Sequence, residues 1–419
     1  MTCHFLFCAA VLVSAAAPSF AQPAKPLTTG VAAFNMGWAG TPEDFKKHVE
    51  VCNAPEVRWC DTRARIERGA TAPTEAERLR ADKCQAATLA AAGGREASML
   101  VVPCNAYRSV TPPIPGQPRP DPGMTLTPAA YQEKLDGLRA TVEGIIENEA
   151  VKVIAFQEVR GTATVKLVLG KFADRFDVCE ARHNAFQTLA FAWDKSVTSK
   201  PGVCATHAPL AVLDPPGDPA AFRRVRPGLT LELVMNGAPV TFMNVHLKAG
   251  CASVNDSNPR FPGRLLTDAA DACEVLNRQV PILEEWVDAV AAKSPRLVLL
   301  GDYNRRIDDE DAMNPPAAQV RADGTNPAGP NKIDDKGKVT TKFLWQEIAD
   351  GAPVLHQVPL STKEGGCTGF QGLDHIVVSD AIKKQNPGVI FSKKVAVAQK
   401  TDQRIETSDH CPRVAQMRF

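Results

Sequence analysis

Val151-Lys152-Val153-Ile154-Ala155-Phe156 runs into Gln157-Glu158: an apolar stretch of strand length that ends abruptly on a polar amide and a carboxylate. Just before it, Ala129 to Glu149 repeats apolar residues at helical spacing (Leu135, Leu138, Val142, Ile145, Ile146), with Thr127 as N-cap and Pro128 in the first turn. A helix feeding directly into a buried strand is the unit of an α/β fold. Working outward, the same pattern recurs, with strands expected at Val31–Asn35, Leu189–Trp193, Leu229–Val234, Val240–Val245, Leu297–Leu300, Leu373–Val378 and Val414–Phe419. A second long helix is expected from Asp268 to Lys293, interrupted at Pro281. Strand pairs mixed with strand–helix units predict an α/β sandwich of mixed sheets and argue against a barrel of regular βα repeats.

Residues 40–125 read differently. They hold two charged helical stretches (Glu43–Cys52 and Thr74–Ala91), four cysteines and the proline-rich run Thr111–Pro122, which excludes regular helix or strand. This predicts a disulfide-stapled insertion within a single domain spanning residues 22–419. Residues 1–21 read as a signal peptide: Phe5–Ala17 is apolar but too short to span a bilayer, and Ser19-Phe20-Ala21 offers a small-x-small cleavage site. No later stretch is long and apolar enough to serve as a transmembrane anchor, so the expectation is an exported, periplasmic or secreted monomer.

Ten cysteines remain beyond the leader, an even number that suits disulfides in an oxidising compartment. Proximity suggests Cys179 with Cys204, Cys251 with Cys273, and Cys367 with Cys411; the pairing of Cys52, Cys60, Cys84 and Cys104 stays open. No CxxC pair occurs, which argues against thiolate zinc. The formal net charge of +1 excludes a protein that holds nucleic acid by bulk charge, though not one that grips a few phosphates locally. Aromatic content of 6% argues against a stacking platform.

The chemistry-bearing residues sit where strands end. Asn35, Gln157-Glu158, Asn244 and His246 (on one face by the period of two), Asp302 and Asn304, Asp374, and Ser408-Asp409-His410 all fall at strand–loop junctions. Each alone has an ordinary explanation, since Asp and Asn after a strand form turns, Ser408-Asp409 suits a cap, and His246 suits a half-buried histidine. Asn244 is equally well structural. Together they form an oxygen-rich set without cysteine, suited to Mg²⁺, with Mn²⁺ or Ca²⁺ as alternatives. Such a metal plus histidines is equipment for cleaving a phosphate ester.

In this order, Asn35, Gln157-Glu158, Asn244-x-His246, Gly301-Asp302-x-Asn304, Asp374 and Ser408-Asp409-His410 resemble the endonuclease/exonuclease/phosphatase superfamily, the DNase I-like fold. The resemblance covers residues 31–39 and 126–419. It is nearest to a group of bacterial exported proteins, through His246-Leu247-Lys248-Ala249-Gly250-Cys251, Cys273 with Gln279-Val280-Pro281 and Trp286, and Gly301-Asp302-Tyr303-Asn304-Arg305-Arg306. The resemblance implies a four-layered sandwich of two mixed sheets flanked by helices. It implies Glu158 as the main metal carboxylate, Asn35 near metal and phosphate, and Asp409 as a further ligand. His410 becomes a general base oriented by Asp374, Asp302 orients the attacking water, Asn304 donates to phosphate and His246 stabilises developing charge. Arg305 and Arg306 are candidate substrate contacts, with a solvated face as the alternative.

Departures narrow the substrate slightly. Gln371-Gly372-Leu373-Asp374-His375 stands where inositol polyphosphate 5-phosphatases carry Pro-Ser-Trp-x-Asp-Arg, and His246 stands where AP endonucleases carry tyrosine. No hydrophobic membrane-inserting hairpin of the kind that marks a sphingomyelinase lies between Val178 and Pro239. The cluster Arg223, Arg224, Arg226 reads as a solvated loop or as a contact for a nucleic-acid backbone. The expectation is a metal-dependent phosphodiesterase, a nuclease ahead of a phospholipid or other phosphoesterase. Retention of Glu158, Asp302 and His410 weighs against a third reading, a non-catalytic binding protein.

Overall fold

In a computed structural model, the described residues are 28–57, 75–104, 106–107, 126–212, 225–252, 271–313, 343–349, 351, 353–361, 372–401 and 403–419. The leader, most of the proline-rich run, Cys60, Cys367, Arg223, Arg224 and the side chain of Cys273 lie outside them. Twelve strands are described: β1 Thr28–Ala39, β2 Val151–Val159, β3 Phe176–Glu180, β4 Thr188–Asp194, β5 Val203–His207, β6 Gly228–Met235, β7 Ala238–His246, β8 Leu297–Asp302, β9 Leu355–Gln357, β10 Asp374–Ser379, β11 Ser392–Lys394 and β12 Arg413–Arg418. They form two six-stranded sheets, ordered β11-β12-β1-β2-β4-β3 and β5-β6-β7-β8-β10-β9. Both are mixed: β1 with β2 and β7 with β8 run parallel, while β2 with β4 and β8 with β10 run antiparallel.

The period of two sorts each strand's side chains between layers. Val31, Ala33, Val153, Ala155, Phe191, Leu231, Phe242, Val298, Leu300 and Ile376 meet between the sheets. The alternate residues Phe34, Ile154 and Phe156 pack outward on Leu135, Leu138, Val142 and Ile145 of the helix Pro128–Asn148. On the other side, Met243, Val245, Leu297 and Leu299 pack on Leu276, Val280, Leu283 and Val287 of the helix Asp271–Ala291. The central strands are therefore buried on both faces, which is why they read as continuous apolar runs. This is the four-layered α/β sandwich expected from the sequence.

Differences from expectation have local causes. The second long helix runs unbroken through Pro281: a proline forfeits one backbone bond, and the apolar stripe that the helix buries on β7 and β8 outweighs it. The short, partly exposed β3 and β5 carry no apolar run to announce them. Cys179–Cys204 joins these two strands, which are edge strands of opposite sheets. Cys52–Cys104 resolves one pairing left open by sequence, tying the helix Pro42–Cys52 to the far end of the 40–125 segment. Cys84, Cys251 and Cys411 are also disulfide-bonded.

Candidate active site

Strand register brings the polar residues to one end of the sandwich. In the first sheet Asn35 lies beside Gln157 on parallel β1 and β2. In the second, His246 and Asp374 both register with Asp302, from β7 and β10 on either side of β8. Contact is closed across the sheets: Asn35 Nδ2 donates to Asp302 Oδ2 at 3.0 Å, over a separation of 267 residues.

Irregular backbone aims the side chains. Register shifts interrupt β1 after Asn35 and β2 after Phe156, and bulges of this kind redirect side chains at sheet ends. Glu158, Trp38 and Asn304 adopt φ of 52°, 59° and 49°, a left-handed region that costs side-chain-bearing residues free energy. The Trp38 amide donates to Glu158 Oε2 at 3.1 Å, and the Gly37 amide to Asn35 Oδ1 at 3.0 Å. Gly301 has φ 139°, and a Cβ there would run into Val245 O, so only glycine lets β7 and β8 close together beneath His246 and Asp302.

Asp302 is the hub. Its Oδ1 accepts from the Asn304 amide at 2.8 Å, and its Oδ2 lies 3.4 Å from His246 Nε2 and 3.9 Å from His410 Nε2. His410 Nδ1 meets Asp374 Oδ2 at 2.8 Å, a buried imidazole–carboxylate pair. His246 Nε2 also lies 3.7 Å from Glu158 Oε1. Asn304 spends one amide hydrogen on Leu247 O at 3.1 Å, leaving the other. Ser408 Oγ donates to Asn35 O and accepts from the His410 amide, fastening the C-terminal loop to β1.

The electrostatics differ residue by residue. Burial, then the Asp374 charge, pushes the Asp302 carboxyl up to about 7 against the pull of His410, Asn304 and Asn35. Burial, then Asp409, raises Glu158. Burial, then the cationic Arg226 and His410, holds His246 well below the ordinary imidazole value. Burial alone would lower His410, but the charge and hydrogen bond of Asp374, then Asp302 and Asp409, raise it well above that value. The two imidazoles are thus pushed in opposite directions, His246 down by burial and the nearby Arg226 and His410 charges, His410 up by its hydrogen bond and charge contact with Asp374.

Several carboxylate oxygens converge here. Asp374 Oδ1 is buried with no hydrogen-bond partner, Glu158 and Asp409 repel one another, and ligand atoms of Asp302, Asp374 and His410 lie within 4.8 Å. A hard divalent cation suits such a set. Glu158, with the Asp409 charge acting on it, lies across the site from that trio on the His246 side.

Some expected residues are placed elsewhere. Arg305 is fully buried and pairs with Glu310 at 3.5 Å, so it supports the loop after β8 from inside and is no substrate contact. Arg306 pairs with Asp309 at 3.8 Å. Asn244 is structural: Nδ2 donates to Phe156 O and Ala190 O, each at 3.0 Å, and Oδ1 accepts from Gln157 at 2.7 Å. Conversely, Arg226, read from sequence as part of a solvated loop or a backbone contact, stands beside the carboxylates of Glu158 and Asp302, its Nη2 on Leu247 O at 2.7 Å. No sequence pattern distinguishes it from its neighbouring arginines. The 40–125 segment adjoins the site: Asp44 Oδ1 accepts from Arg160 Nε at 2.9 Å, and Tyr107 Oη donates to Trp38 O at 3.3 Å.

Two packed six-stranded mixed sheets flanked by helices, with this ordered residue set at one end, form the four-layered α/β sandwich expected from the sequence. No family model matches the chain, and no curated protein matches it. Among solved structures it is similar to truncated TDP2 of Caenorhabditis elegans, at 13% identity over 70% of this chain and 93% of that one, with a TM-score of 0.39. An endonuclease/exonuclease/phosphatase family protein from Bacteroides thetaiotaomicron aligns over 94% of this chain and 99% of its own, at 10% identity and a TM-score of 0.42. A 3'-5' exonuclease from Neisseria meningitidis aligns at 16% identity over 68% and 96%, with a TM-score of 0.38.

Proposed function

We propose that the protein is an exported, divalent-metal-dependent phosphodiester hydrolase, with a nucleic acid as the favoured substrate class. The observation that carries this reading is geometric: Asp302 is buried with Asn35 Nδ2 at 3.0 Å, His246 Nε2 at 3.4 Å and the Nε2 of the Asp374-paired His410 at 3.9 Å. A general base works best when its pKa lies near the working pH. Asp302, central among Asn35, His246 and His410 and pushed up to about 7 by burial, is the group assigned to take the proton from the attacking water. His410, expected from sequence as the base, serves better as a fixed cation facing the charge that grows on phosphoryl and leaving oxygens. His246 and the remaining Asn304 hydrogen offer neutral hydrogen bonds, and Arg226 offers a positive charge to the phosphate. Glu158, with Asn35 and Asp409, would hold the Mg²⁺, which when bound neutralises phosphate charge and polarises phosphorus.

Export is supported by the disulfides Cys52–Cys104 and Cys179–Cys204. A nucleic acid is favoured over a lipid because none of the exposed large hydrophobics among the described residues falls in the site-bearing segments. The test is hydrolysis of DNA, RNA, bis-p-nitrophenyl phosphate and sphingomyelin by the mature protein with and without Mg²⁺. Metal-dependent cleavage of the diesters, with DNA or RNA turned over faster than sphingomyelin, is expected. Sphingomyelin as the best substrate would overturn the substrate class, and no turnover of any diester would overturn the activity.

A further inference from the structure

Lys134 is one of the largest fully buried side chains in the protein, 1% exposed, on the inward face of the helix Pro128–Asn148. A buried ammonium is costly unless every hydrogen is accepted. Lys134 Nζ has three donors, and they go to Met36 O at 3.1 Å, Glu406 O at 3.2 Å and Thr407 O at 2.5 Å. Met36 follows Asn35 at the start of the β1 irregularity, and Glu406-Thr407 precede Ser408-Asp409-His410. One side chain thus joins the backbone of two catalytic segments more than 360 residues apart in sequence, roughly 370 by the Asn35–Ser408 bond. A side chain at Gly37 would lie 3.4 Å from Lys134 Nζ and 3.5 Å from Ser408 Oγ, so the three elements meet at one point. Burial lowers the Lys134 ammonium to about 8, and the Asp409, Glu406 and Glu158 carboxylates oppose that shift by favouring its charge.

We propose that Lys134 is a positioning residue: its ammonium clamps the turn after Asn35 to the loop carrying Asp409 and His410, holding the two halves of the site in register. The inference rests on the phosphodiesterase reading for its kinetic part only. Lys134 touches no reacting atom. Ser408 Oγ bridges the same two segments, but it cannot satisfy the three carbonyls that converge beneath them. A displacement of about 1 Å in a catalytic group can cost on the order of 100-fold in rate, and loosening both segments together misplaces Asn35, Asp409 and His410 at once.

The test compares native protein with Lys134→Met, Lys134→Gln and Lys134→Arg in turnover of bis-p-nitrophenyl phosphate and in hydrogen–deuterium exchange. The expected result for Lys134→Met is kcat lowered roughly 10- to 100-fold with KM within about threefold, and faster exchange confined to segments 34–40 and 403–410. Lys134→Arg, which keeps charge and donors, restores part of kcat, and Lys134→Gln falls between. Folded Lys134→Met with kcat within twofold of native, or with exchange raised uniformly over the chain, would overturn the proposal. If Lys134→Met does not fold, Lys134→Gln is read by the same criteria; failure of both to fold would also overturn it, because Lys134 would then be a requirement of the whole fold. Were native protein itself inactive on phosphodiesters, the functional reading would fail while the exchange arm still decided the clamp.

Discussion

Replacing Asp374 by Asn keeps the shape of the side chain and removes its charge from a buried contact of 2.8 Å with His410 Nδ1. A charge-assisted hydrogen bond of this kind is worth about 2–3 kcal/mol, so kcat should fall roughly 30- to 150-fold if the pair acts in the transition state. The pH profile separates the two possible roles of His410. In native protein the ascending limb is expected from Asp302, pushed up to about 7, and the descending limb from His410, raised well above the ordinary imidazole value by Asp374. Asp374 raises both groups, so in Asp374→Asn both limbs should move to lower pH, and activity should fall at alkaline pH where native protein is still active. The assay is kcat for bis-p-nitrophenyl phosphate from pH 5 to 10 at saturating Mg²⁺. A loss below threefold, or a variant profile that climbs to an alkaline plateau as a neutral general base requires, would refute the assignment of His410 as a cation.

The same pair should behave as a unit: the combined loss in Asp374→Ala/His410→Ala is expected to be far smaller than the product of the single losses, and fully multiplicative losses would show independent action. Burial, then Arg413, holds His375 at about 4, with Nε2 on Arg305 O at 2.9 Å and Gly372 O at 2.8 Å. Because the folded state binds this proton less readily than the unfolded chain, its stabilising effect is present above pH 6.5 and is lost as pH falls towards 4. Denaturant unfolding should therefore show up to about 3 kcal/mol of acid-dependent loss, part of it absent in His375→Gln; an unchanged acid limb would contradict this. The Cys179–Cys204 bridge spans 25 residues, for which chain entropy gives about 3.5 kcal/mol. Cys179→Ser/Cys204→Ser should unfold at lower denaturant while retaining native kcat at low temperature, and equal stability would show that the edge bridge contributes nothing.

What was legible in the sequence follows from burial. Strands covered on both faces, such as β2 and β8, are apolar along most of their length, and their polar ends at Glu158 and Asp302 therefore stand out as candidate site residues. Edge strands β3 and β5 meet no such demand and left no pattern. Arg305 illustrates the opposite failure: a charged residue immediately after Asn304 reads as a substrate contact, yet it is buried facing Glu310 at 3.5 Å. Lys134 and Arg226 act through long-range contacts, to residues 272 positions away for Lys134 and Glu406. A one-dimensional pattern does not encode separations of that size.

If hydrolysis depends on a metal held by Glu158, the variant to make is Glu158→Gln. The amide keeps the volume and can still meet the Trp38 backbone, but it lacks the charge that a hard cation prefers. Turnover of bis-p-nitrophenyl phosphate and of single-stranded DNA should be measured in native and variant protein across a Mg²⁺ titration, beside thermal unfolding without metal. Native protein should show Mg²⁺-dependent turnover, and the variant should lose most of it at ordinary Mg²⁺, with an unfolding temperature nearly unchanged. Native-level turnover in Glu158→Gln, or turnover in native protein that persists in excess chelator, would contradict hydrolysis by a metal held at Glu158.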